Sequence, residues 1–266
     1  MSGVLFELEL FGGGVEKRYR RMRPEVEAMP WGTIDTRGIS EEDLVAARRA
    51  WTGAAFQEHR TGIACAATLR ALIECRAPLD LIALGSRFPL DEMVHVELCA
   101  RMAMELGGGT EIQHDPDLMV LDAKEGTPPL LRAAELVVRF FCVGEALSIP
   151  LLRGTWHAAK HPLPKAVLGR IVKDEAAHGT FGFAFLDWAA PMLGEDDLAH
   201  LARLAVDAIH HQWKDIEKRP RRTETAGDAL AWMESGAYLQ LARKSMETKV
   251  LAPLRERGID PMAARA

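Results

Sequence analysis

Cysteine is scarce and never paired in spacing: Cys65, Cys75, Cys99 and Cys142 are the whole complement, with no C-x-x-C among them. Each lies inside an apolar helical pattern, which suits reduced core thiols and excludes a disulfide framework or a zinc knuckle. No run approaches the ~20 apolar residues of a membrane span. The segment Met1 to Leu10 lacks the charged leader of a signal peptide. A cytoplasmic protein with no membrane partner is therefore expected. Positive charge is also short, with a formal net charge of −5 and a pI near 6.0, which argues against a nucleic-acid binder. Two basic stretches, Lys17 to Arg23 and Lys218 to Arg222, read as solvated loops or helix ends because little aromatic residue is interleaved with them.

What is present is apolar residue in helical register. The chain is 48% hydrophobic, enough for a full core, and we read residues 1–266 as one all-α domain. Residues 1–37 stand apart as an arm, with an alternating stretch Val4 to Leu10, then Gly12-Gly13-Gly14, then Pro30-Trp31-Gly32, and are expected to lie irregular or strand-like over the core. Residues 38–190 carry four helices. The first runs from a Ser40 cap with Asp43 in an S-x-x-D box to about Arg76, and the second from Leu79 to Leu106. The third begins after Thr127 with Pro128 at its first position, and the fourth near Pro164. Kinks are expected at Pro89 and Pro150. About twenty residues between the second and third helices are long enough to cross the core rather than make a tight hairpin. Residues 191–266 add two accessory helices, about Asp196 to Lys218 and Asp228 to Arg257.

Charge on the inward stripes carries the chemistry. Glu58 follows Leu44, Ala47, Trp51 and Ala55 on one apolar face, and Glu145 follows Ala134, Val138 and Phe141 on another. Glu92 with His95, and Glu175 with His178, sit on the seams of the second and fourth helices. Residues at i and i+3 project from one side of a helix, so each Glu-x-x-His pair can bite one ion. Buried carboxylates are costly unless a cation meets them. At 1.5 Å per residue, Glu58 and Glu92 lie roughly 27 and 20 Å from their connecting loop, and Glu145 and Glu175 roughly 24 and 17 Å from theirs. The two hairpins thus present their acids at matched depths. Asp91 and Asp174 precede the pairs and are expected to accept the outer N–H of an imidazole, each from the histidine of the other helix.

The pattern E…DExxH…E…DExxH, from about Leu44 to Ala190, resembles the ferritin-like superfamily of bacterioferritins, rubrerythrins, ribonucleotide reductase small subunits and di-iron oxygenases. The resemblance implies a four-helix bundle holding two iron ions, or Mn/Fe, through Glu58, Glu92, His95, Glu145, Glu175 and His178. Glu92 and Glu175 would bridge. It implies O2 as co-substrate, a small organic substrate, an external electron donor, and a homodimer as one assembly open to the chain. The reductase radical tyrosine is replaced by Cys99, and only Tyr19 and Tyr238 occur, which points away from that branch. Bacterioferritin is similar in both ligand motifs but much shorter, and Met93 stands where it places a haem-binding methionine. The arylamine N-oxygenases are closer in size but carry a third histidine where this chain has Ile171; His210 or His211 could supply one. Cys99, Cys142, Phe141 and Phe88 are candidates for an apolar pocket wall. An O2-activating oxygenase or oxidase leads, with ferroxidase or iron handling as the alternative and a metal-free helical scaffold third.

Overall fold

In the computed structural model the described residues are 3–122, 124–219, 230 and 233–265, and they are mostly helical. The arm opens with a two-residue strand β1 (Val4–Leu5), antiparallel to β2 (Gln113–His114). It then forms α1 (Gly13–Arg21) and a single turn α2 (Pro24–Glu27), where the sequence pattern suggested irregular chain. The Glu16–Arg20 ion pair, one helical turn apart at 2.7 Å, supports α1 against the cost of its leading glycines. The basic stretch from Lys17 falls on this helix. Its last member, Arg23, is 1% exposed and is held by Glu97 at 2.7 Å and Glu27 at 2.8 Å, which pins the arm to the core.

Two long helices follow, α3 (Glu41–Glu74) and α4 (Leu79–Glu105), packed along each other. Ser40 caps α3, its hydroxyl accepting from the Asp43 N–H at 3.1 Å. Arg76, at φ 56°, ends the helix in the left-handed region while the Ala77 N–H closes on the Leu72 carbonyl at 3.0 Å. Helix α4 runs through Pro89 without a break. A second helical stretch covers residues 129–158 as α5 (Pro129–Leu136), a π-helical run (Val137–Glu145) and α6 (Ala146–Ala158). It packs along α7 (Pro162–Ala189), which starts two residues earlier than the pattern suggested, behind a His161 cap.

Helices α4 and α7 touch, as do α3 and α5. The accessory helix α8 (Glu195–Glu217) lies on the π-helical run, and α9 (Ser235–Ser245) on α6. A π turn at Met246–Leu251 leads from α9 into α10 (Ala252–Arg255). The last helix was expected from Asp228; most of 228–234, like Pro220 to Arg222, lies outside the described residues. No helix among the described residues is long and apolar enough to cross a membrane.

The apolar interior falls into two clusters. One gathers Cys65, Leu72, Phe88, Phe141, Phe181 and Phe185. The other gathers Trp51, Ala55, Leu98, Met102, Leu168 and Ile171. Along α3, α4 and α7 alike, the residues between these clusters are the charged ones: Glu58, then Glu92, then Glu175. Close backbone approach frames this layer. A side chain at Gly62 would collide with Met93 Cε, and one at Gly182 would meet Cys142 Sγ and Phe141 Cβ, both at 2.8 Å.

Candidate metal centre

Three helices and the π-helical run deliver the six candidate ligands to one point. Glu58 comes from α3, Glu92 and His95 from α4, Glu145 from the last residue of the π run, and Glu175 and His178 from α7. Five of these side chains are buried, Glu92 and both histidines completely, while Glu58 keeps 21% of its side chain exposed. Two groups of four donors result: Glu58, Glu92, His95 and Glu175, and Glu92, Glu145, Glu175 and His178, with donor atoms within 4.8 Å of one another in each. Glu92 and Glu175 belong to both.

The distances suit metal coordination. His95 Nδ1 lies 3.2 Å from Glu175 Oε1 and 3.5 Å from Glu92 Oε2. His178 Nδ1 lies 3.1 Å from both Glu92 Oε1 and Glu175 Oε2. Ligand bonds of about 2.1 Å put neighbouring donors roughly 3.0 to 3.4 Å apart. Both Nδ1 atoms and both Glu92 oxygens are buried without a hydrogen-bond partner. Buried polar atoms left unpaired are expensive, and their convergence on a shared centre fits a cation there.

Protonation tells the same story. Burial and then the neighbouring Glu92 push the Glu58 carboxyl well above its usual range, and burial and then Glu175 do so for Glu145. Burial works against charge on His95, yet Glu175 and Glu92 outweigh it and raise the imidazole well above 6.5. His178 goes the same way, burial overcome by Asp91, Glu175 and Glu92, to about 12. Glu175 is held far below a normal carboxylate; burial opposes this, and His178 and His95 prevail.

Behind the imidazoles the helices cross over. His95 Nε2 meets Asp174 Oδ2 at 3.2 Å, and His178 Nε2 lies 3.6 Å from Asp91 Oδ2. Asp174 thus fixes which ring nitrogen of His95 turns to the centre, whereas Asp91 faces His178 Nε2 as an ion-pair contact beyond hydrogen-bond distance. Sequence reasoning did not single out Arg87, which pairs with Asp91 at 2.9 Å and Asp174 at 3.3 Å and so ties the two aspartates together. The signal was available: Arg87 stands one helical turn before Asp91. Arg170 also pairs with Asp174 and, at 2.8 Å, with Glu25 of the arm. Replacing Arg87 with Leu should weaken metal binding about tenfold, the low end for loss of an outer partner, because Arg170 still holds Asp174. Chelator competition measures this; unchanged affinity would mean the aspartates need no clamp.

The two flanks of the centre differ. Phe88 leans on His178 with ring centroids 4.2 Å apart, and Phe141 and Phe181 close behind it, each 5.1 to 5.6 Å from its neighbours. That flank is closely packed. On the other, a cavity of about 210 Å³ reaches Glu58, Glu145 and Glu175. Its walls are not the expected Phe88, Cys99, Phe141 and Cys142, which are core residues; they include Gln57, Thr61, Ser148 and Gln212. His210 and His211 are exposed on α8, the latter 3.7 Å from Asp215, and neither joins the donor groups. Comparison with protein-family models, with curated proteins and with solved structures gave no match.

Proposed function

We propose that this chain is a ferritin-like four-helix-bundle protein in which two iron ions activate O2 for oxidation of a small organic molecule. The observation that carries the proposal is the pair of four-donor groups sharing Glu92 and Glu175, with a cavity that reaches Glu58, Glu145 and Glu175. In this reading Glu58 and His95 would hold one ion and Glu145 and His178 the other, with Glu92 and Glu175 within reach of both. Carboxylate and imidazole donors without thiolate suit iron or manganese. When bound, a ferrous pair supplies the electrons that reduce O2.

The chain's own residues supply the rest. Asp174 holds the His95 imidazole so that Nδ1 faces the centre, Asp91 stands behind His178 to take the same part, and the aromatic flank of Phe88, Phe141 and Phe181 would keep water from one side. Glu58 and Glu145 border the cavity, so whatever reaches the centre passes them.

The carboxylate floor of that cavity also suits passage of hydrated Fe(II), which makes ferroxidase chemistry the alternative. Aerobic titration with Fe(II) separates the two. Oxidation that stops at two irons per chain, with a transient visible absorbance, supports the oxygenase reading. Continued turnover to a mineral core supports iron handling, and absence of uptake removes both.

A further inference from the structure

We propose that the cavity beside the centre takes a small, uncharged organic molecule with hydrogen-bonding groups, and that Gln212 of the accessory helix α8 selects it. The inference rests on the di-iron reading for its chemistry and on the cavity walls for its content.

Size comes first. A volume of about 210 Å³ is below the roughly 300–1,000 Å³ of pockets for drug-sized ligands and equals about seven waters at ~30 Å³ each. One substituted six-membered ring fills such a space. Phe140 and Leu152 offer it an apolar surface.

Charge comes second. Among the described residues no lysine, arginine or histidine lines the cavity, and its floor is carboxylate. Two divalent ions against Glu58, Glu92, Glu145 and Glu175 give +4 and −4, so the occupied centre is neutral and offers no field to a charged substrate. With both ions in place, a carboxylate or ammonium group entering here would lose its hydration against a centre of no net charge.

Hydrogen-bonding capacity decides the residue. The Thr61 hydroxyl donates back to the Gln57 carbonyl at 3.0 Å, and the Ser148 hydroxyl to Glu145 at 3.3 Å, so both are engaged. Gln57 Oε1 accepts from Arg60 at 2.8 Å, which leaves its NH2 as a donor. The Gln212 amide has no hydrogen bond to any described residue, and its Nε2 stands 3.7 Å from the point where Gly144 would carry a Cβ. Gly144 precedes Glu145 and lacks a side chain, so α8 can lay a free amide beside a candidate ligand. A neutral molecule with one donor and one acceptor meets both glutamines.

The test uses matched one-ring probes, benzamide, benzoate and benzylammonium, on the full chain with and without Zn(II), read by calorimetry and ligand-observed NMR. Benzamide should bind at least tenfold more tightly than either charged probe. Gln212→Leu, which keeps volume and loses the amide, should weaken benzamide at least fivefold while metal stoichiometry stays the same. Benzoate or benzylammonium binding as well as benzamide, no binding by any probe, or indifference to Gln212→Leu overturns the proposal. The di-iron reading fails separately: a protein that takes up no metal refutes it, while the order of probe affinities still judges the cavity.

Discussion

Replacing Glu92 alone with Ala should empty both metal positions, lowering the affinity for each ion by more than a hundredfold, whereas Glu58→Ala should spare one ion. The asymmetry follows from sharing. Glu92 and Glu175 contribute to both donor groups, while Glu58 and Glu145 contribute to one each. Direct loss of a ligand exceeds the roughly 10–100-fold cost of losing an outer partner. Metal analysis after dialysis reads two ions per chain for the native protein, one for Glu58→Ala or Glu145→Ala, and none for Glu92→Ala or the Glu92→Ala, Glu175→Ala double variant. Two ions retained by Glu92→Ala would mean that the carboxylate does not span the centre.

The second large effect is of pH. Glu58, Glu145, His95 and His178 all bind protons more tightly in the folded chain than in the unfolded one, where their values are near 4.5 and 6.5. Four protons must therefore leave for two ions to bind, about two per ion. Metal affinity should climb as pH rises, most steeply where these groups still hold their protons, because ligands must be deprotonated to bind. The sign for the metal-free fold is opposite. Where the native state holds protons that the unfolded chain has released, stability falls as pH rises. The carboxyl contribution declines from about pH 4.5 upward, and the imidazole contribution, complete below 6.5, fades towards about 12 for His178. Calorimetry in buffers of different ionisation enthalpy counts the protons. Thermal melts should show metal stabilising more strongly at pH 8 than at pH 6. Release of no protons on binding would show that the cluster is already ionised.

The parts of the molecule that could be read from sequence are those where side-chain period and solvation conflict. Glu58, Glu92 and Glu175 stand on stripes otherwise made of Ala, Leu, Phe and Cys, and no solvated helix needs a carboxylate there. The long helices and the Ser40 cap follow from the same local rules. The π-helical run was not legible, because Val137 to Glu145 has the composition of any apolar helix and one extra residue per turn leaves no mark in the pattern. Helix α1 was missed since it begins within Gly12-Gly13-Gly14, although Glu16 and Arg20 announced a turn. The cavity wall was beyond reach for a different reason. Gln212 follows Glu145 by 67 positions, and only the docking of α8 on the π run brings them together.

The charged layer between the two apolar clusters has a consequence for alignment. A helix in a uniform apolar core can slide past its neighbour by one turn, about 5.4 Å, and still find grease to touch. Helix α4 cannot. Such a step towards either end would carry Glu92 and His95 among Phe141 and Phe181 or among Trp51 and Leu168, and would strand Glu175 and His178 without counterparts. The acids that cost the fold stability thus act as a vernier, leaving one register in which all helices agree.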